Sequence, residues 1–259
     1  MHDRIKKYFG ENWLKKQKIE ATSEILSHEN VDVDTAFIVA NEALEEIDEL
    51  IGKVENVQGF QFWVKEASTA GQKSFPDIAF ELFCFDNLRF NSNTILKPTN
   101  SNGCGIEALL KTPTKELYIE MYNMKEMKTT PEKKVHKLFQ KAKRKFTDKD
   151  GILFVNISNF NNIPNSSSDI LTLDPIILDV QKEIKKQFNH GLNERTDAVV
   201  LVNLVWVTNP TIEWKTFFNK SFILIPKPKH KGGCVSKEFW NTIFKVDKFY
   251  IENLSEKDF

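Results

Sequence analysis

Residues 105–123 read GIEALLKTPTKELYIEMYN, two runs of alternating apolar and polar residues on either side of Thr112-Pro113-Thr114. Alternation around a short turn is the pattern of paired antiparallel strands. Pairing Leu110 with Leu117 sets a register that puts Glu107 opposite Glu120, on one face and roughly 5 Å apart. Two carboxylates that close repel each other unless a cation or a shared proton lies between them. A slip of one residue sends them to opposite faces, so the register decides whether they meet. Leu117, Ile119 and Met121 alternate with Tyr118, Glu120 and Tyr122, and the Glu120 set is expected to face a helix over 75–90.

Upstream, residues 2–28 and 34–54 read as helices. Phe37, Ala40, Leu44, Ile47 and Ile51 recur at helical spacing, and Asp34 or Thr35 is the expected cap. The aromatic stretch NVQGFQFWV at 56–64 reads as a short strand or loop. Ser74 and Pro76 open the helix over 75–90, whose apolar content implies burial. NTILK at 93–97 precedes the hairpin, with strands expected over about 104–111 and 116–122.

Downstream, Thr130-Pro131 opens an amphipathic helix with Val135, Leu138, Phe139, Ala142 and Phe146 as its apolar stripe. Gly151 introduces ILFVNIS, a strand with the continuous apolar character of a central sheet position. A polar loop follows at 159–169. A helix then runs from Asp174-Pro175 to Gly191, and a strand covers 197–207. The tail carries a strand at 221–225, the basic loop PKPKHKGG at 226–233 and an aromatic C-terminal segment.

Charge is neutral overall but unevenly placed. Residues 20–55 hold eleven Asp or Glu and one Lys, whereas 131–147 hold seven Lys or Arg and one Glu. A local block of positive charge is what attracts a polyanion. The alternative is a pair of solvated helical faces, complementary to each other. The 259 residues, 41% hydrophobic and 28% charged, suit a globular protein with a sizeable core. Cys84, Cys104 and Cys234 are few and widely spaced, which points to a reducing setting rather than a disulfide scaffold or a zinc site. No signal-like apolar run opens the chain, and AVVLVNLVWV at 198–207 is too short to span a bilayer, so a cytoplasmic location without membrane contact is expected.

The five histidines lack HxxxH or HExxH spacing, and no GxSxG, GxGxxG or GxxxxGK[ST] motif is present. Zinc hydrolysis, a hydrolase nucleophile elbow and nucleotide-driven chemistry therefore have little support. Asp77 reads as a helix-start acid favoured by the macrodipole.

From 75 to 158 the order is helix, three strands, helix, strand, with a further helix and strand behind. Such strands feeding crossover helices point to an α/β protein with a mixed sheet. Residues 78–123, IAFELFCFDNLRF…GCGIEALLKTPTKELYIEMYN, resemble the opening helix and two acid-bearing strands of the PD-(D/E)XK superfamily, the restriction-endonuclease-like fold. The likeness spans about residues 75–207. It implies a mixed central sheet with an αβββαβ core flanked by helices. Residues 1–70 then form an acidic, mostly helical segment, and 71–259 the α/β domain with a C-terminal extension.

The resemblance further implies Mg²⁺ or Mn²⁺ at the hairpin, and nucleic acid bound or cleaved in defence or DNA processing. Hard oxygen ligands suit such ions, and a lysine positions the attacking water. Glu120 matches the acid of the second strand. Gly105 stands where an Asp is expected, and Tyr122 where a Lys is expected. Either the site has decayed, leaving a nucleic-acid-binding or protein-binding module, or its groups have migrated. Migration implies Glu81, Glu107 and Glu120 as metal ligands and Lys141, or Lys137 one turn earlier, as the lysine. Lys137, Lys141, Arg144 and Lys145 are the expected phosphate contacts.

Overall fold

The computed structural model describes residues 2–28, 31–69, 73–124, 130–158, 175–191, 194–206, 218–233, 236–245 and 249–251. The expected loop at 159–169 and Cys234 lie outside them. The chain divides into two compact units, Met1–Asp86 with Leu204–Asn219, and Asn87–Asn203 with Lys220–Phe259.

The first unit is helical: α1 (Asp3–Phe9), α2 (Glu11–His28), α3 (Val33–Val54), α4 (Phe60–Ser68) and α5 (Phe75–Asn87), whose last residue falls at the unit boundary. The single helix expected over 2–28 is broken at Gly10, whose φ of 85° ends α1. Only glycine adopts that backbone cheaply. α3 is capped by Asp32 rather than Asp34 or Thr35, because the extended Asp32 accepts from Thr35 N at 2.7 Å. Residues 60–64 are helical, not strand or loop. Phe60, Trp63, Val64 and Ala67 fall at offsets of three, four and seven, which buries one side of α4. Part of the acidic charge of α3 is answered inside this unit. Asp48 accepts from Ile5 N at 2.8 Å and pairs with Arg4 at 3.6 Å, while Glu55 accepts from Tyr8 at 2.7 Å.

The second unit is built on a mixed sheet, with seven strands in chain order among the described residues. These are β1 (Ile95–Leu96), β2 (Ala108–Lys111), β3 (Glu116–Asn123), β4 (Asp150–Asn156), β5 (Thr196–Trp206), β6 (Phe218–Pro226) and β7 (Phe249–Ile251). β1–β2 and β2–β3 pair antiparallel, whereas β3–β4, β4–β5 and β6–β7 pair parallel. The parallel pairs require crossovers. α6 (Pro131–Lys145) and α7 (Pro175–His190) supply the first two. The aromatic tail includes α8 (Lys237–Ile243).

An α/β protein with a mixed sheet is therefore present, as the strand and helix order implied. Ile152, Leu153, Phe154 and Val155 of β4 are fully buried, as a strand covered on both faces demands. On one face, Leu153, Val155, Val199 and Leu201 pack with Val135, Leu138, Phe139 and Ala142 of α6 and with Ile177, Val180, Ile184 and Phe188 of α7. Among the described residues no helix is long and apolar enough to cross a membrane.

Candidate functional site

Thr112 makes the β2–β3 turn. Its hydroxyl accepts from Lys115 N at 3.0 Å and its own N–H donates to the Lys115 carbonyl at 2.9 Å. That turn fixes the register: Leu110 pairs with Leu117 and Ala108 with Ile119. Carried one step beyond β2, this pairing sets Glu107 opposite Glu120. β1 extends the row, since Ile95 pairs with Leu109 and Lys97 N donates to the Glu107 carbonyl at 2.9 Å. Lys97 forms an ion pair with the Glu107 carboxylate while holding a φ of 52°. A left-handed lysine is uncommon and costs on the order of 1–2 kcal/mol.

Glu120 faces α6. Tyr118 and Tyr122, which share its side of β3, belong to the cluster formed with α6 and α7. The lysine that reaches Glu120 is Lys145, at 3.4 Å, rather than Lys141. α6 runs opposite to β3, so Lys141 lies over the Tyr122 ring at 5.3 Å and Lys145, one turn on, meets Glu120. Lys149 follows, 5.7 Å from the Tyr118 ring. The Lys145 ammonium also donates to the Gly105 carbonyl. Asn100 secures this corner by donating to the Lys145 carbonyl at 2.9 Å while accepting from Cys104 N at 2.9 Å. Asn100 thereby satisfies the last two carbonyls of α6, those of Arg144 and Lys145.

Glu120 is 4% exposed. Burial, and then the Glu107 charge, push its carboxyl up from 4.5 to about 7 against the pull of Lys145 and Lys97. Its Oε2 is buried without a hydrogen-bond partner among the described residues. Burial, with the two glutamates behind it, also raises the Tyr122 phenol, which therefore stays protonated.

The expected residues separate into three groups. Glu107 and Glu120 share one cluster with Lys145. Lys137, Lys141 and Arg144 line the exposed side of α6. Glu81 lies in the first unit, where Lys73 contacts its two oxygens at 2.6 and 2.7 Å and Trp63 donates at 2.8 Å. Lys97 was not among the expected residues, although pairing NTILK with the hairpin would have placed it beside Glu107.

The ligand set does not fit the implied divalent ion as it stands. Two ammonium groups already balance two carboxylates, and among the described residues no third Asp, Glu, His or Cys joins them. One orphaned oxygen is not a coordination shell. No family model, curated protein or solved structure matches this chain.

Proposed function

We propose that this chain is a nuclease-like protein that binds nucleic acid through the outer face of α6 without cleaving it. The observation that carries this reading is a division of labour among the lysines. Lys97 and Lys145 turn inward to neutralise Glu107 and Glu120. Lys133, Lys137, Lys141 and Arg144 lie exposed at successive offsets of four, four and three residues, none paired with a carboxylate among the described residues. Such a stripe follows a line of phosphates and gains by releasing their counterions. A cytoplasmic setting belongs to the same proposal, supported by cysteines that are few and widely spaced along the sequence.

Fluorescence anisotropy with labelled single- and double-stranded DNA and RNA, between 50 and 200 mM salt, tests the idea. Replacing Lys137, Lys141 and Arg144 by Ala is expected to weaken binding for every sequence and to lower the log–log salt slope by about 1 per lost contact. Lys145 is left in place because it serves Glu120. Wild-type protein that binds nothing at 50 mM salt would retire the proposal in favour of a protein-binding module. Mn²⁺-dependent cleavage that vanishes in Glu120→Ala would overturn its non-cleaving half.

A further inference from the structure

We infer that the Val33 end of the α2–α3 helix pair is a docking surface for a basic amphipathic helix of a protein partner. The inference stands apart from α6 and from the Glu107–Glu120 corner.

Scattered apolar residues on a surface are ordinary, but a contiguous apolar patch rimmed by charge marks a place where something binds. Ile19 of α2 and Val33, Phe37 and Ile38 of α3 are each half or more exposed, and Leu26 of α2 is over a third exposed. Val33 and Phe37 lie four residues apart, and Ile19 and Leu26 seven apart, so each pair shares a face of its helix. Lys18 joins the two helices, its ammonium 3.9 Å from the centre of the Phe37 ring and 2.7 Å from Asn41 Oδ1.

The rim is acidic. Asp34, Ile38, Glu42, Glu45 and Glu49 follow one another at offsets of four, four, three and four, which makes one stripe along the outer side of α3. Among the described residues no cation pairs with these four carboxylates.

What such a surface takes is visible at the other end of α3, where α1 packs against it. The α1 sequence is DRIKKYF. Ile5 is fully buried and its N–H donates to Asp48 at 2.8 Å. Arg4 pairs with Asp48 at 3.6 Å and Lys7 with Glu55 at 3.7 Å. A short helix with an apolar residue inward and cations on its flanks thus covers apolar and acidic surface together. The Val33 end presents the same two ingredients to solvent. A second copy fits less well, because two acidic stripes brought together repel. The basic α6 is no substitute, since its Val135, Leu138, Phe139 and Ala142 are buried.

The test is fluorescence anisotropy of the full chain with a labelled synthetic peptide of about 14 residues, leucine and lysine only, patterned as an amphipathic helix. One control holds the same residues in an order without helical periodicity, and the other replaces lysine by glutamate. The patterned leucine–lysine peptide is expected to bind, and both controls to bind at least about tenfold more weakly. Phe37→Ser with Ile38→Ser, both at exposed positions, is expected to lower its affinity about tenfold or more. Ile19→Ser with Val33→Ser repeats the measurement through different residues. Glu42→Gln with Glu45→Gln should weaken binding at low salt and flatten its salt dependence. Equal binding of the patterned and reordered peptides overturns the inference, as does binding that neither serine pair weakens, or none by the wild type. So does a dimer, seen in sedimentation, that Phe37→Ser with Ile38→Ser dissolves, since the surface then takes a second copy.

Discussion

Between pH 4.5 and pH 7 the wild-type protein is expected to lose about 3 kcal/mol of stability that the Glu120→Gln variant keeps. The cause is the burial of Glu120, reinforced by the Glu107 charge, which lifts its carboxyl from 4.5 to about 7 in the folded chain. Because folding raises this pKa, the native state holds its proton where the unfolded chain has released it. The stabilising contribution is complete below the unfolded value and disappears as pH rises through the folded one. Glutamine has no proton to lose, so its curve lacks this component. Urea unfolding of both proteins across the range provides the comparison. Parallel stability curves would mean that Glu120 is not buried beside Glu107 as described.

The second large effect lies at the other end of the hairpin. Lys115, in the β2–β3 turn, pairs with Asp197 at the start of β5 and with Asp150 of β4 at 3.4 Å. The Asp197 side chain is 4% exposed and that of Lys115 30%. Lys115→Met therefore strands a buried carboxylate next to another one. A loss of about 3 kcal/mol is expected, at the low end for a broken buried pair because the lysine is partly solvated. Adding Asp197→Asn should recover most of it, since the uncompensated charge is then gone. Burial already raises the Asp197 carboxyl, against the pull of Lys115. The penalty in Lys115→Met should consequently shrink as the pH falls and Asp197 takes up a proton. Chemical denaturation of the two variants at neutral and acid pH measures both effects. A loss in Lys115→Met that is unchanged in the double variant would show that packing, not charge, is responsible.

How far this was legible in the sequence depends on the range of the interaction. The Leu110–Leu117 register needed only the turn at Thr112 and period-two alternation, both local, and it placed Glu107 against Glu120. The apolar stripe of α6 and the buried run of β4 were equally local. The face of the sheet that Glu120 occupies was not, because it depends on which crossover helix covers which side. α4 escaped notice because Phe60, Phe62 and Trp63 carry strand propensity, while the spacing of Phe60, Trp63, Val64 and Ala67 is helical. Lys97 escaped because its partnership requires a left-handed backbone that few lysines adopt.

α6 and β3 behave like the two scales of a vernier. Four helical residues advance about 6.0 Å and two strand residues about 6.6–6.8 Å. The marks therefore coincide well at only one place, and here it is Lys145 on Glu120, with Lys141 and Tyr122 reading slightly out of step. The choice of lysine is thus made by counting from Thr130-Pro131, where the helix begins, rather than by side-chain reach. Adding or deleting four residues within α6 would hand Glu120 a different residue while turning the apolar stripe by only about 40°, whereas adding one would turn the residues beyond it by about 100° and carry Lys145 away from Glu120.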